Sequence, residues 1–311
     1  GPRGSVGVLD MGSGLPDGFR TAHPPDRMLR ALRAGGFGAT RLLPGDLADP
    51  AVLRPQGLDA VVITSGPYFP EEARSAFLAF LKAGGSFLST DGYAFDRLVV
   101  RSGGAWIDVA SGTTAAETGS PSAAEPSMNT RYGRTGDAMT FSPDQIPVFD
   151  PAFRLQHVAR FRVAPLFRPT RGGPAYAPGA TVEGYAACGL TGLNNPVFPP
   201  VHRSWEPVVE ALDADGQPRG AVVALMRNHS GPFAGSVWAF SGLTSGQDLF
   251  LGTSARRALL CRVVDALVAP VVLHGLRSDL ACYRPGETAR LTAARAASPP
   301  QGVSTQIASP V

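Results

Sequence analysis

Gly57–Phe95, GLDAVVITSGPYFPEEARSAFLAFLKAGGSFLSTDGYAF, decides how this chain folds. Asp59-Ala60-Val61-Val62-Ile63-Thr64 is a short, β-branched apolar run, the pattern of a strand buried on both faces. Ser65-Gly66-Pro67 breaks it. Pro70-Glu71-Glu72 then opens a helix, with proline in the first turn and two carboxylates at the positive end of the dipole. Ala73, Phe77, Phe80 and Leu81 recur at helical spacing and form one apolar stripe. Gly84-Gly85 stops the helix, because glycine takes the left-handed cap without a side-chain clash. Ser86–Thr90 is a second strand ending in Asp91-Gly92-Tyr93. Strand, helix and parallel strand build a right-handed unit whose ligands sit at the carboxyl ends of the strands. Those ends are Ser65-Gly66 and Asp91-Gly92-Tyr93.

Working outward, Val6–Asp10 is the first strand, and Met11-Gly12-Ser13-Gly14 is a glycine-rich turn whose spacing fits neither dinucleotide nor P-loop patterns. Asp26–Ala34 reads as a helix with Met28, Leu29 and Leu32 inward and Arg27, Arg30 and Arg33 outward. Thr40–Leu43 is the next strand. Ser111–Ser127 is rich in small polar residues and reads as a long surface loop. Order returns at Asp137–Val148. Residues 161–201 are proline-rich, with one strand at Thr181–Ala187. Trp205–Ala211, Ala221–Arg227 and Gly235–Ser241 read as strands, and Ser254–Val268 as a helix closing the first domain near Pro270. Beyond it, Val271–His274, Asp279–Tyr283 and Thr288–Ala293 alternate in the manner of strands and turns.

The 311 residues suffice for one large core or two modest ones. An apolar content of 44% and a charged content of 17% describe an ordinary globular protein. The net charge of +3 is spread out, with no basic run, which argues against nucleic acid as a partner. Lys82 is the only lysine, and 37 glycines and 29 prolines accompany the arginines; this is the residue usage of a GC-rich coding sequence, so the basic balance is no binding signal. The three cysteines, Cys188, Cys261 and Cys282, cannot form a full disulfide framework. Cys261 falls inside an apolar helix and reads as a buried thiol, while Cys188 and Cys282 pair only if the fold joins them. No apolar stretch reaches the 18 residues of a membrane span. The five histidines lack metal-ligand spacing, and no cofactor is expected.

The order of elements around SGPYF and AGG, with the sharp turn at Asp91, resembles class I glutamine amidotransferase-like domains. The most similar members are the trehalose-utilisation-protein-like domains and the trimerisation domains of some bacterial β-galactosidases. The resemblance spans residues 6–100 and, more loosely, 220–268. It implies an α/β fold: a flavodoxin-like three-layer sandwich with a mainly parallel sheet, a long irregular insertion at 101–200 and a short C-terminal all-β segment. Active members carry a cysteine in a Gly-x-Cys-x-Gly elbow and a later His-x-Glu. Here Asp91 falls at or beside the cysteine position with no cysteine within Ser86–Phe95, Ser241 replaces the histidine and Leu243 the glutamate. A thiolate–imidazole pair cannot be made from these residues, so the resemblance implies no glutamine hydrolysis. YRPGET at Tyr283–Thr288 resembles the opening of bacterial immunoglobulin-like modules, which need roughly 100 residues. The domain reading is therefore 1–270 for the amidotransferase-like domain and 271–311 for a partial immunoglobulin-like segment.

Two functional readings follow. In the first, the chain is a non-catalytic accessory, assembly or ligand-binding module of a larger, secreted or cell-surface carbohydrate-active protein, partnered by a neighbouring domain, by itself or by carbohydrate. In the second, it is a carbohydrate-directed hydrolase rebuilt around Asp10, Asp91 and Tyr93, with the His202–Glu206 loop contributing. Asp10 and Asp91 end adjacent strands in this reading, and a glycosidase pair needs about 5–10 Å. The bland alternatives are that Asp91 caps its turn and that Trp205 is a packing anchor. The candidate ligand-binding residues are Asp10, Ser65, Tyr68, Asp91, Tyr93, His202, Trp205 and Ser241; none is assigned a catalytic or metal-binding role.

Overall fold

The computed structural model describes residues 1–92, 97–108, 153–165, 181–190, 203–212, 218–229, 233–243, 246–269, 272–278, 288–296 and 304–310. Its core is a parallel sheet of five strands: β1 (Ser5–Leu9), β2 (Gly38–Leu42), β3 (Ala60–Ile63), β5 (Ser86–Ser89) and β12 (Val237–Ser241). They lie in the order β12-β5-β3-β1-β2. Every residue of β3, β5 and β12 is buried, as the near-continuous apolar runs of β3 and β12 require.

Strand alternation divides the core into two layers. On one face Val6, Val8, Val62, Leu88, Val237 and Ala239 pack with α1 (Pro25–Ala34) and α4 (Ser254–Val268). On the other, Leu9, Val61, Ile63, Phe87, Trp238 and Phe240 pack with α2 (Pro44–Ala48) and α3 (Arg74–Lys82). This is the flavodoxin-like three-layer arrangement. The α3 stripe of Phe77, Phe80 and Leu81 is buried beneath it, and truncating Phe77 to alanine there costs about 3–5 kcal/mol. A single 3₁₀ turn, Glu71–Ala73, carries the chain into α3. At its far end Gly84, at φ +95°, donates to Leu81 O at 3.1 Å and Gly85 donates to Phe80 O at 2.9 Å, the paired bonds of a Schellman stop. Thr253 caps α4, its hydroxyl accepting from the Arg256 N–H at 3.2 Å.

Beyond β12 the sheet continues as antiparallel strands. These are β11 (Pro218–Asn228), β9 (Thr181–Leu190), β8 (Phe153–Pro165) and β10 (Arg203–Leu212). β10 pairs with both β8 and β11, so the four close on one another. The 101–200 stretch thus supplies two long strands where the sequence shows one, because the polar–apolar alternation of β8 is interrupted at Gln156-His157. A hairpin of β6 (Arg97–Ser102) and β7 (Ala105–Asp108) joins the short β4 (Tyr68–Pro70) in a second sheet. β13 (Val272–Ser278), β14 (Thr288–Ala296) and β15 (Ser304–Pro310) form a three-stranded antiparallel sheet. The Ser111–Ser127 loop, the Asp137–Val148 segment, the Asp279–Tyr283 strand and Cys282 lie outside the described residues. Cys261 is a free, half-buried thiol, its pKa pushed up by burial. Among the described residues no helix is long and apolar enough to cross a membrane.

Candidate functional site

The carboxyl ends of β3, β5 and β12 converge on Asp91. It is a non-glycine residue at φ +68°, a left-handed conformation that aspartate tolerates better than most side chains. Gly92, at φ +120°, follows and its N–H approaches Ser241 O at 3.4 Å. On the other side Gly66, at φ +60°, lies against the Asp91 carbonyl: a Cβ built on Gly66 would sit 2.7 Å from that oxygen and 2.6 Å from Phe19 Cζ. The elbow at the end of β5 is therefore present, flanked by Ser65-Gly66 and Ser241 as the strand order demands. A sharp positive-φ turn of this kind is how such folds present a nucleophile.

Here the turn presents a buried carboxylate that is already used. Asp91 is 7% exposed. Its Oδ1 accepts from the Ala22 N–H at 2.7 Å. Its Oδ2 accepts from the Thr21 hydroxyl at 3.0 Å, the Thr90 hydroxyl at 2.6 Å and His23 Nδ1 at 2.8 Å. Four internal donors thus meet the about four lone-pair positions of a carboxylate, three at Oδ2 and one at Oδ1. His23 is 1% exposed and equally committed. The Leu249 N–H donates to His23 Nε2 at 3.0 Å, which assigns the proton to Nδ1 and leaves no lone pair for general-base work. Asp248 Oδ1 stands 3.5 Å from Nε2 but is itself turned to the Phe250 and Leu251 N–H groups. With the neutral tautomer this approach is no ion pair.

Ser65, Tyr68 and Asp10 are also bonded within the chain. The Ser65 hydroxyl donates to Tyr68 O at 2.7 Å and the Tyr68 N–H returns to Ser65 O at 3.2 Å; the pair fastens the turn around Gly66. The Tyr68 hydroxyl donates to Asp17 at 3.0 Å. Burial, then the bond to Asp17, pushes its pKa up to about 12. Arg97 binds the same Asp17 oxygen at 2.9 Å. Asp10 accepts from Arg41 at 2.6 Å and from the Gly12 N–H at 2.9 Å; Arg41 also bonds Asp26. The Ser241 and Ser89 hydroxyls are buried with no partner among the described residues. Leu243, at the glutamate position, is 3% exposed and belongs to the apolar core.

Two expectations need correction. Asp10 and Asp91 do not end adjacent strands: β3 pairs with β1 on one side and β5 on the other. Two strand spacings, about 10 Å, therefore separate their backbones. The second concerns the segment leading into Trp205. Residues 203–206 are not a loop but the start of β10, and the register aligns Trp205 with Met226, Trp238 and Phe87. That line lies three strands from β5, about 14 Å, near the amino ends of the parallel strands, whereas Asp91 follows their carboxyl ends. Glu206 is exposed and pairs with Arg227 at 2.8 Å. Tyr93 and His202 fall outside the described residues. The residues missed by sequence reasoning are Thr21, His23 and Asp17. Their signal was positional: the segment between a first parallel strand and its helix lies at the same edge as Asp91. Among the described residues no three His, Cys, Asp or Glu side chains gather to hold a metal.

No family model matches the chain and no curated protein matches it. Solved structures give weak likenesses. A cold-adapted β-galactosidase of Rahnella sp. R3 has 12% identity and a TM-score of 0.41, over 99% of this chain and 39% of that one. A β-galactosidase of Bacillus circulans sp. alkalophilus has 9% identity and a TM-score of 0.41, over 99% and 40%. A ThuA-like protein of Bacteroides uniformis has 11% identity and a TM-score of 0.39, over 85% and 90%. The chain spans about two fifths of the length of these two β-galactosidases. They are of the kinds named by the resemblance above, and no residue role passes from them to this chain.

Proposed function

We infer that this chain is a non-catalytic accessory module of a larger, secreted carbohydrate-active protein, serving assembly or ligand binding. Residues 1–270 form its degenerate amidotransferase-like domain and residues 271–311 a partial immunoglobulin-like segment. The observation that carries the reading is the fate of Asp91. The residue at the elbow is no thiol, and its carboxylate is spent on four internal donors. Nucleophilic catalysis needs a group that is both activated and free to attack, and an acid–base pair needs a proton acceptor facing substrate. Asp91 and His23 satisfy neither condition. The carbohydrate context rests on the sequence resemblance alone.

The test is activity. Purified protein should release no ammonia from glutamine and no nitrophenol from a panel of aryl glycosides. Ammonia release that survives Cys188→Ser, or glycoside hydrolysis lost in Asp91→Asn while the fold persists, would overturn the non-catalytic reading.

A further inference from the structure

The segment between β1 and α1 runs across the carboxyl edge of the sheet and is fastened at four places. Near its start, the Trp106 indole N–H donates to Met11 O at 2.8 Å and the Trp106 backbone N–H to Gly14 O at 2.9 Å. Asp17 is held by Tyr68 and Arg97. Phe19 lies over Gly66, edge-on to Tyr68 with ring centroids 5.5 Å apart. Thr21, Ala22 and His23 all bind the one carboxylate of Asp91, and His23 reaches on to Leu249. In an open α/β sheet this edge is where a ligand crevice forms. Here the chain's own residues 11–24 lie in it.

We propose that residues 11–24 are a strap that closes the carboxyl-edge crevice, with Phe19 as its plug and the Asp91–His23 pair as its clasp. Met11 is anchored in the apolar core, Leu15 and Phe19 pack against it, and His23 packs on Phe250; the stretch between these anchors is held by small sets of polar contacts, and Arg20 beside the plug is exposed. The parallel strands beneath are held by continuous ladders and a buried apolar core. Local opening draws on the segments with the fewest buried apolar contacts, so the strap opens without the sheet. Access to the strand ends then follows strap opening, as with other loops that gate a site. The strap stands whether or not the accessory reading holds, since it concerns who occupies the crevice and not what chemistry occurs there.

Hydrogen exchange on the full chain tests this, with His23→Ala and the milder Thr21→Val as variants. In the wild type the Ala22 and Leu249 amides should be protected, yet less so than Val62 in β3. In the variants the Ala22 amide should exchange about tenfold faster or more, with Val62 unchanged. Trypsin cleavage after Arg20 should accelerate in parallel. Should His23→Ala fail to fold, Thr21→Val keeps both clasp residues and gives the same comparison. The strap is refuted if Ala22 and Leu249 exchange at the unprotected rate in the wild type. It is equally refuted if Ala22 accelerates in Thr21→Val only in step with Val62, because the segment is then part of the cooperative core.

Discussion

Asp91 Oδ2 and His23 Nδ1 stand 2.8 Å apart across 68 residues of sequence, and both side chains are buried. The pair joins the turn after β5 to the entry of α1, and through the Leu249 N–H to the approach to α4. An aspartate at an elbow and a histidine beside it look like parts of a catalytic device. Their hydrogen bonds commit both side chains to neighbouring segments of the chain.

Removing that carboxylate strands four donors, two of them, on His23 and Thr90, buried, so Asp91→Ala should lower the unfolding free energy by about 3–5 kcal/mol. Part of the loss is backbone strain, because alanine is disfavoured at positive φ. Asp91→Gly should therefore be less damaging by about 1–2 kcal/mol. Urea denaturation of both variants measures this. A loss below about 1 kcal/mol in Asp91→Ala would show that the carboxylate is not the hub described.

Tyr68 supplies a pH signature. Its pKa is raised to about 12, first by burial and then by the bond to Asp17, against about 10 in the unfolded chain. The folded state thus keeps a proton that the unfolded state gives up. The associated stability is fully present below about pH 10 and is lost as pH rises toward about 12. Ultraviolet titration should show one tyrosine ionising late, and Tyr68→Phe should remove that component and flatten the alkaline fall in stability. A titration with no late component in the wild type contradicts the placement of Tyr68.

Gly66 cannot take a side chain in this packing. Gly66→Ala meets the Phe19 ring and the Asp91 carbonyl at a positive φ, and should cost about 2–4 kcal/mol. In a Phe19→Ala background the ring contact is gone while the carbonyl and the strain remain. The cost of Gly66→Ala should then fall by about 1 kcal/mol. Additive losses in the double-mutant cycle would mean that Phe19 does not cover Gly66.

The C-terminal sheet is tested by its middle strand. β14 pairs with both neighbours, so Leu291 and Thr292 face partners on β13 and β15. Their amides should exchange slowly, since a paired backbone is shielded from water. Exchange at the unprotected rate across Thr288–Ala296 would remove this sheet from the solution structure.

The elements that were legible in the sequence are those whose signal is local. The run Ala60–Ile63, the stripe of α3 and the helix Ser254–Val268 each carry their period within a few residues. The β6–β7 hairpin was also locally encoded, by Gly103-Gly104 between two apolar runs, both glycines at positive φ, but its strands are only four to six residues long. β8 was not legible because its alternation is interrupted at Gln156-His157. The clasp was hidden for a different reason: nothing near Asp91 in sequence names His23, and only the topology that brings β1 and β5 to one edge of the sheet puts them together. The same topology puts Trp205 at the other edge, which no local pattern reveals.

His23 is held at both ring nitrogens, its Nδ1 proton by Asp91 and its Nε2 lone pair by the Leu249 amide. Nitrogen NMR of the imidazole at pH 8 reads this directly. The expected result is a proton on Nδ1, with Nε2 accepting a hydrogen bond, and loss of this signature in Asp91→Ala. A ring protonated at Nε2 with a free Nδ1, or one unaffected by loss of Asp91, would contradict it.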